Sequence, residues 1–251
     1  TNLTTVCDDE LDPTDQDGLF AFDTSSFQST ILGTQTGMLV NYFDETGNSL
    51  PSPLPNPLVS GTQNITVEVI NPVNTICKAT MIIPLIVNPL PEIELYGDEL
   101  ICSNNPLFTK VINAGLLDET TVSNFTYQWF LDGSVISTGT NYDLTVNTEG
   151  IYTVEVTNSN GCLRTRAITV TASDIATIND IEIVDLSDDN SVTVIVTGLG
   201  NYEFSLDNID YQSSNIFQNI ASGIYTVYVR DLNGCGVATE EISVLGIPNY
   251  F

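Results

Sequence analysis

A phrase of thirteen residues is written twice in this chain, GIYTVEVTNSNGC at 150–162 and GIYTVYVRDLNGC at 223–235, an offset of 73 residues. Self-similarity at that period means a row of small domains. Within each copy, Tyr152, Val154 and Val156, or Tyr225, Val227 and Val229, fall on one face of a strand. Thr153 and Glu155, or Thr226, Tyr228 and Arg230, face the other way. A second match, YQWFLD at 127–132 against YEFSLD at 202–207, repeats at 75 residues, so one loop has changed length by two. The pattern also extends upstream. Ile65, Val67 and Val69 precede Tyr152, Val154 and Val156 by 87 residues, and Val40 and Tyr42 precede Tyr127 and Trp129 by the same step.

Three modules follow, spanning 1–91, 92–172 and 173–251, each large enough to bury one sandwich core. The first boundary is Asn88-Pro89-Leu90-Pro91, where two prolines remove backbone donors and predict a short, stiff linker. The second falls near Ala172 and Ser173. Runs such as 63–69, 151–156, 167–171 and 191–197 are rich in Val, Ile, Thr and Tyr and are separated by Gly, Asn, Asp and Pro. That spacing predicts an all-β chain of three tandem antiparallel β-sandwiches. Helix should be scarce, because the best candidate, 111–119, is interrupted by Asn113 and Gly115. Trp129, the only tryptophan, belongs to an inward face with Tyr127 and Leu131 and reads as core.

Five cysteines divide unevenly among the modules, as Cys7 and Cys77, Cys102 and Cys162, and Cys235 alone. One early and one late cysteine per module predict a staple inside each of the first two, Cys7 to Cys77 and Cys102 to Cys162. Each would be worth roughly 4 kcal/mol in the chain-entropy model and would persist only in oxidising surroundings. Cys235 lacks an early partner in its module and is expected as a free thiol, with no histidine in the chain to activate it.

Thirty-two acidic residues against five basic ones give a net charge of -27, divided by our count as -9, -7 and -11 over the three modules. A field of one sign this uniform disfavours nucleic acid and anionic lipid as partners. The longest apolar stretch, 81–87, is interrupted by Pro84 and is far shorter than the roughly 20 residues that cross a bilayer, so direct membrane insertion is not expected. No signal peptide opens these residues, which suits an exported protein that has lost its leader.

The densest acidic run, 8–18, offers a calcium loop or a solvated turn. Asp15 and Asp17 alternate before Gly18, and Asp12 and Asp23 lie one residue from the first and last ligand positions of a calcium-binding frame. Asp12, Asp15, Asp17 and Asp23 are therefore the candidate calcium ligands. Without histidine, serine triads and His-ligated zinc are excluded, and no residue set stands out as catalytic. Phe130, Tyr211, Phe217 and Tyr228 are candidate aromatics for stacking on a glycan or surface polysaccharide.

The phrase GIYTVYVRDLNGC, preceded by YEFSLDNIDYQSSNIFQNIASG at 202–223, resembles the repeat of the SprB-type surface adhesins of gliding Bacteroidota. The module holding YQWFLDG and GIYTVEVTNSNGC resembles their PKD or Ig-like domains. VCDDELDPTDQDGLFAFD at 6–23 resembles the acidic start of another such module. VLGIPNYF at 244–251 is similar to the junction that leads into their gliding-motility-associated C-terminal sorting domain. The resemblance implies a non-enzymatic extracellular or outer-membrane surface protein. It would be handled by the type IX secretion translocon and outer-membrane components, with roles in adhesion or gliding. The rival expectation is an accessory or carbohydrate-binding region of a larger exported enzyme.

Overall fold

Alternation of branched and polar residues is expressed throughout as strand. The structure, a computed structural model, describes residues 5–9, 16–104 and 109–247. The first stretch holds β1 (Thr5–Cys7), β2 (Phe20–Phe22), α1 (Phe27–Leu32), β3 (Leu39–Phe43), β4 (Ser49–Leu50), β5 (Leu58–Ser60), β6 (Gln63–Ile70) and β7 (Lys78–Asn88). Next come β8 (Tyr96–Cys102), β9 (Lys110–Asn113), a 3-10 helix (Glu119–Asn124), β10 (Phe125–Leu131), β11 (Ser134–Val135), β12 (Asp143–Val146), β13 (Gly150–Asn158) and β14 (Leu163–Ser173). The remainder holds β15 (Thr177–Val184), β16 (Ser191–Thr197), β17 (Tyr202–Ser205), β18 (Ile216–Gln218), β19 (Gly223–Asp231) and β20 (Val237–Val244). The fold is all-β, a tandem of Ig-like sandwiches, and among the described residues no helix is long and apolar enough to cross a membrane.

By contact density the chain divides into two compact units, one of residues 1–95, 114–127 and 155–166, the other of residues 96–113, 128–154 and 167–251. In the first unit a five-stranded sheet in the order β1-β7-β6-β3-β4 faces the two-stranded sheet β2-β5. Phe22, Val40, Tyr42, Ile65, Val67 and Leu85 fill the space between them. The alternation read from the sequence decides which side chains those are: Ile65 and Val67 are fully buried on β6, while Asn64, Thr66 and Glu68 look outward. Helix α1 went unanticipated because its six residues are too few to show a period. Buried Phe27 and half-buried Ile31 and Leu32 tie it to the core.

In the second unit, sheets β15-β16-β18 and β17-β19-β20 enclose Val192, Val194, Phe204, Val227, Val229, Ile242 and Val244. A further sheet runs in the order β11-β10-β13-β14-β8, with β12-β9 as a separate pair. Trp129 on β10 is completely buried. Its indole Nε1–H donates to the Asn141 carbonyl at 2.9 Å, so the tryptophan sits in the core as expected.

The parallel pairings of β1 and β8 position everything that follows. Strand β1 lies parallel to the end of β7, with Thr5 opposite Ile86 and Cys7 opposite Asn88. Strand β8 lies parallel to β14, with Tyr96 opposite Ala167 and Cys102 opposite Ser173. Each of these opening strands therefore ends beside the last residue of the strand that leaves the sheet.

Two buried aromatic groups differ in how their polar atoms are satisfied. The Tyr42 hydroxyl is buried without a hydrogen-bond partner, and burial pushes its pKa up. Tyr42→Phe removes an unsatisfied group and is expected to leave stability unchanged or raise it by about 1 kcal/mol. Trp129→Phe removes a satisfied donor and part of a filled volume, and is expected to lower stability by about 2–3 kcal/mol. Urea unfolding of the two variants beside the parent checks the opposite signs.

Candidate functional site

Two seams, built alike, gather buried polar side chains around the disulfides. In the first, Cys7 closes β1 and is bonded to Cys162, with Cα atoms 5.5 Å apart. The residue after the cysteine, Asp8, donates its N–H to the Asn88 carbonyl at 2.8 Å. Its carboxylate is buried and accepts from the Gly18 N–H at 3.0 Å. The 88–94 segment is held at successive points. Asn158 Nδ2 donates to the Pro89 carbonyl at 2.9 Å, the Leu90 N–H to Gln16 Oε1 at 2.9 Å, and Arg164 Nη1 to the Pro91 carbonyl at 3.3 Å. Arg166 Nη1 pairs with Glu94 Oε2 at 2.7 Å and lies 3.3 Å from the Glu94 carbonyl. Ile93, completely buried, bridges Leu116.

Two of the five basic residues are thus spent on this segment, and both are buried. A guanidinium suits the task because its planar fork can bind several acceptors while keeping its charge in a confined place. Gly115 makes room for one of them: its φ is +71°, and a Cβ there would fall 1.9 Å from Arg166 Nη1. The linker predicted to be stiff because of its prolines is also held by the side chains of Gln16, Asn158, Arg164 and Arg166.

The second seam repeats the plan. Cys102 closes β8 and is bonded to Cys235, with Cα atoms 5.4 Å apart. The Ser103 N–H donates to the Ser173 carbonyl at 2.8 Å, as Asp8 does to Asn88. The Ser173 hydroxyl donates to buried Asp231 Oδ2 at 3.0 Å and receives Asn233 Nδ2 at 3.0 Å. The Asp231 carboxylate also accepts the N–H groups of Cys235 and Asn201, each at 3.1 Å. Asn104 and Ile175 exchange hydrogen bonds, Nδ2 to carbonyl at 2.8 Å and N–H to Oδ1 at 3.0 Å. Asp174 accepts from the Leu199 N–H and the Tyr202 hydroxyl.

These bonds correct the staples expected inside single modules. Cys7 does not pair with Cys77, nor Cys102 with Cys162; Cys235 is bonded rather than free, and Cys77 is the free and exposed thiol. The reason is the parallel pairing. Cys7 lies opposite Asn88 at one end of the eleven-residue β7, and Cys77 immediately precedes its other end. At about 3.3 Å per residue the two are separated by roughly 35 Å along the strand, whereas a disulfide needs Cα atoms within about 7 Å. Cys102 and Cys162 stand in the same relation across β14, which also has eleven residues.

Sequence reasoning also missed Asn158 and Asp231, although a signal was present. They occupy the same place in the repeated phrase, four residues before its cysteine, and they hold that cysteine's N–H at 3.0 and 3.1 Å. Arg164 and Arg166 had no counterpart in the other repeats and gave no signal beyond their scarcity.

Of the candidate calcium ligands, Asp12 and Asp15 lie outside the described residues. Asp17 accepts the Leu19 N–H at 2.8 Å and Asp23 the Ser25 N–H at 2.9 Å, each within its own turn. The Ser25 hydrogen bonds hold the Asp23 carboxyl below its usual range. Among the described residues no three Asp, Glu, Cys or His side chains converge as a metal site. Of the candidate stacking aromatics, Phe217 packs onto the core of the last sandwich. The Arg230 guanidinium covers the Tyr211 ring at 3.8 Å from its centroid, and Phe130 and Tyr228 are half-buried.

Residues 2–91 match the family model described as the Flavobacterium inter-domain disulphide bond domain. One sulfur of the Cys7–Cys162 bond lies in that stretch and the other lies beyond it. No curated protein matches the chain in sequence. Among solved structures it is similar to Sidekick-1 immunoglobulin domains 1–4, at 12% identity and a TM-score of 0.44 over 83% of this chain and 67% of that one. It is similar to the N-terminal eight Ig domains of Down Syndrome Cell Adhesion Molecule at 11% identity and a TM-score of 0.44, covering 82% of this chain but only 37% of that one. The three N-terminal domains of the bacteriophage RB49 outer capsid protein Hoc are similar at 10% identity and a TM-score of 0.40, over 83% and 85%.

Two outcomes test the seams. Gly115→Ala must displace Arg166 and adopt an unfavourable φ, and is expected to cost about 2–4 kcal/mol in urea unfolding. The Tyr202 phenol is pushed up to about 12, by burial first and then by its bond to Asp174. A raised folded-state pKa keeps its stabilisation intact below about pH 10, the value for an unfolded tyrosine, and loses it as the pH climbs toward 12. Melting temperature against pH is expected to fall less steeply between 10 and 12 in Tyr202→Phe than in the parent.

Proposed function

We propose that this chain is a non-enzymatic segment of a secreted or cell-surface protein, in which Ig-like sandwiches are braced covalently in series as a stalk or adhesive arm. One observation carries the reading. Each disulfide joins the first-strand cysteine of one sequence repeat to the hairpin cysteine of the next, Cys7 to Cys162 and Cys102 to Cys235. Loops of this size contribute about 5 kcal/mol each in the chain-entropy model. Such bonds persist outside the reducing cytoplasm, which supports an extracellular location. The match of residues 2–91 to a family described by its inter-domain disulphide supports the same reading. The likeness of the sequence to SprB-type adhesins supports the finer proposal that the parent protein is a type IX secretion substrate acting in adhesion or gliding.

An arm of this kind has a mechanical signature. The shortest covalent route through the chain runs from Thr1 to Cys7, across to Cys162, back to Cys102, across to Cys235 and on to Phe251. That is roughly 80 residues, or about 280 Å at ~3.5 Å per residue, against about 880 Å for the whole chain. Single-molecule stretching between the termini is expected to stop near the shorter length when oxidised and to reach the longer one after reduction with dithiothreitol. Full extension without reductant would refute the bracing.

A further inference from the structure

The hairpin between β6 and β7 stands where two other hairpins carry a bonded cysteine, and its own cysteine is free. Strands β6, β13 and β19 are equivalent through Ile65, Tyr152 and Tyr225, so Asn71, Asn158 and Asp231 hold the same position. Their N–H groups close the three hairpins onto the carbonyls of Cys77 at 3.1 Å, Cys162 at 3.0 Å and Gly236 at 3.0 Å. Cys162 and Cys235 each receive a cysteine that ends the first strand of the preceding repeat. Beside them, Asn158 with Arg164, or Asp231 with Asn233, grips the segment through which that repeat exits. The corresponding face of the first repeat is an open groove lined by Met38, Val69, Asn71, Cys77 and Ala79 together with Gln35 and Lys78. Two apolar side chains of the same hairpin, Val73 at 93% and Ile76 at 89% of full exposure, stand in solvent.

We propose that Cys77 is the receiving half of a third link. Its partner is the cysteine ending the first strand of a further Ig-like domain that precedes this one in the same polypeptide, and the groove takes that domain's exit segment. The inference rests on reading the other two disulfides as links between successive modules. A second copy of this chain is a poor donor. The one thiol it could offer is its own Cys77, since its Cys7, Cys102, Cys162 and Cys235 are already bonded, and it would bring a second surface of net charge -27 against the first. In the reaction the Cys77 thiol and its partner thiol lose two protons and two electrons to form the S–S bond. A protein disulfide oxidant of the export compartment accepts them by thiol–disulfide exchange and leaves as a dithiol.

The test is peptide mapping of the native polypeptide, released from cells with iodoacetamide present and digested without reductant. The expected result is a Cys77 peptide joined to a cysteine peptide from residues before Thr1, alongside the Cys7–Cys162 and Cys102–Cys235 pairs. Cys77 found carbamidomethylated, capped by a small thiol, or joined to Cys77 of another copy would overturn the inference while leaving the other two links standing. Absence of those two links would instead refute the braced-arm reading itself. In the 251-residue chain alone, one thiol per molecule is expected to react with iodoacetamide under native conditions, and Cys77→Ser is expected to abolish that reaction without changing either disulfide.

Discussion

The parallel pairing of a first strand with the last strand of its own sheet decides what each cysteine can reach. It carries Cys7 to the level of Asn88 and Cys102 to the level of Ser173, where one repeat ends and the next begins. From there the nearest hairpin is the one belonging to the next repeat. The backbone reinforces the placement, since the residue after each cysteine donates to the carbonyl directly across the ladder at 2.8 Å.

Around those cysteines the chain places several of its buried polar groups. Arg164, Arg166, Ser173 and Asp231 are all buried, and each binds a segment that connects repeats. The surface elsewhere is almost uniformly acidic, and such a surface gives adjoining segments no mutual attraction. Specific bonds at the seams supply what a general electrostatic attraction could not. The remaining basic side chains, Lys78, Lys110 and Arg230, pair with exposed or half-buried acids and add little to stability.

Much of this was legible beforehand. The repeated valines and tyrosines located strands β6, β13 and β19, and Ile65, Val67, Val154, Val156, Val227 and Val229 are all completely buried. Trp129 was readable as core for the same reason. The disulfides were not, because cysteine spacing tells nothing about strand direction, and a parallel neighbour reverses which end of a sheet a residue occupies. Yet the length of β7 alone argues against Cys7 reaching Cys77 once their positions on the ladder are known. Helix α1 and the arginine contacts depend on tertiary packing and leave no period to read.

The two covalent loops, 7–162 and 102–235, overlap across 102–162 instead of lying side by side. Overlap changes how the polypeptide answers a protease. One cut anywhere between Cys7 and Cys235 frees no fragment, because the pieces on either side of it stay tied through at least one sulfur pair. Release of a fragment would take a second cleavage or a reductant, so the chain can be nicked in an exposed turn between those cysteines and still hold together.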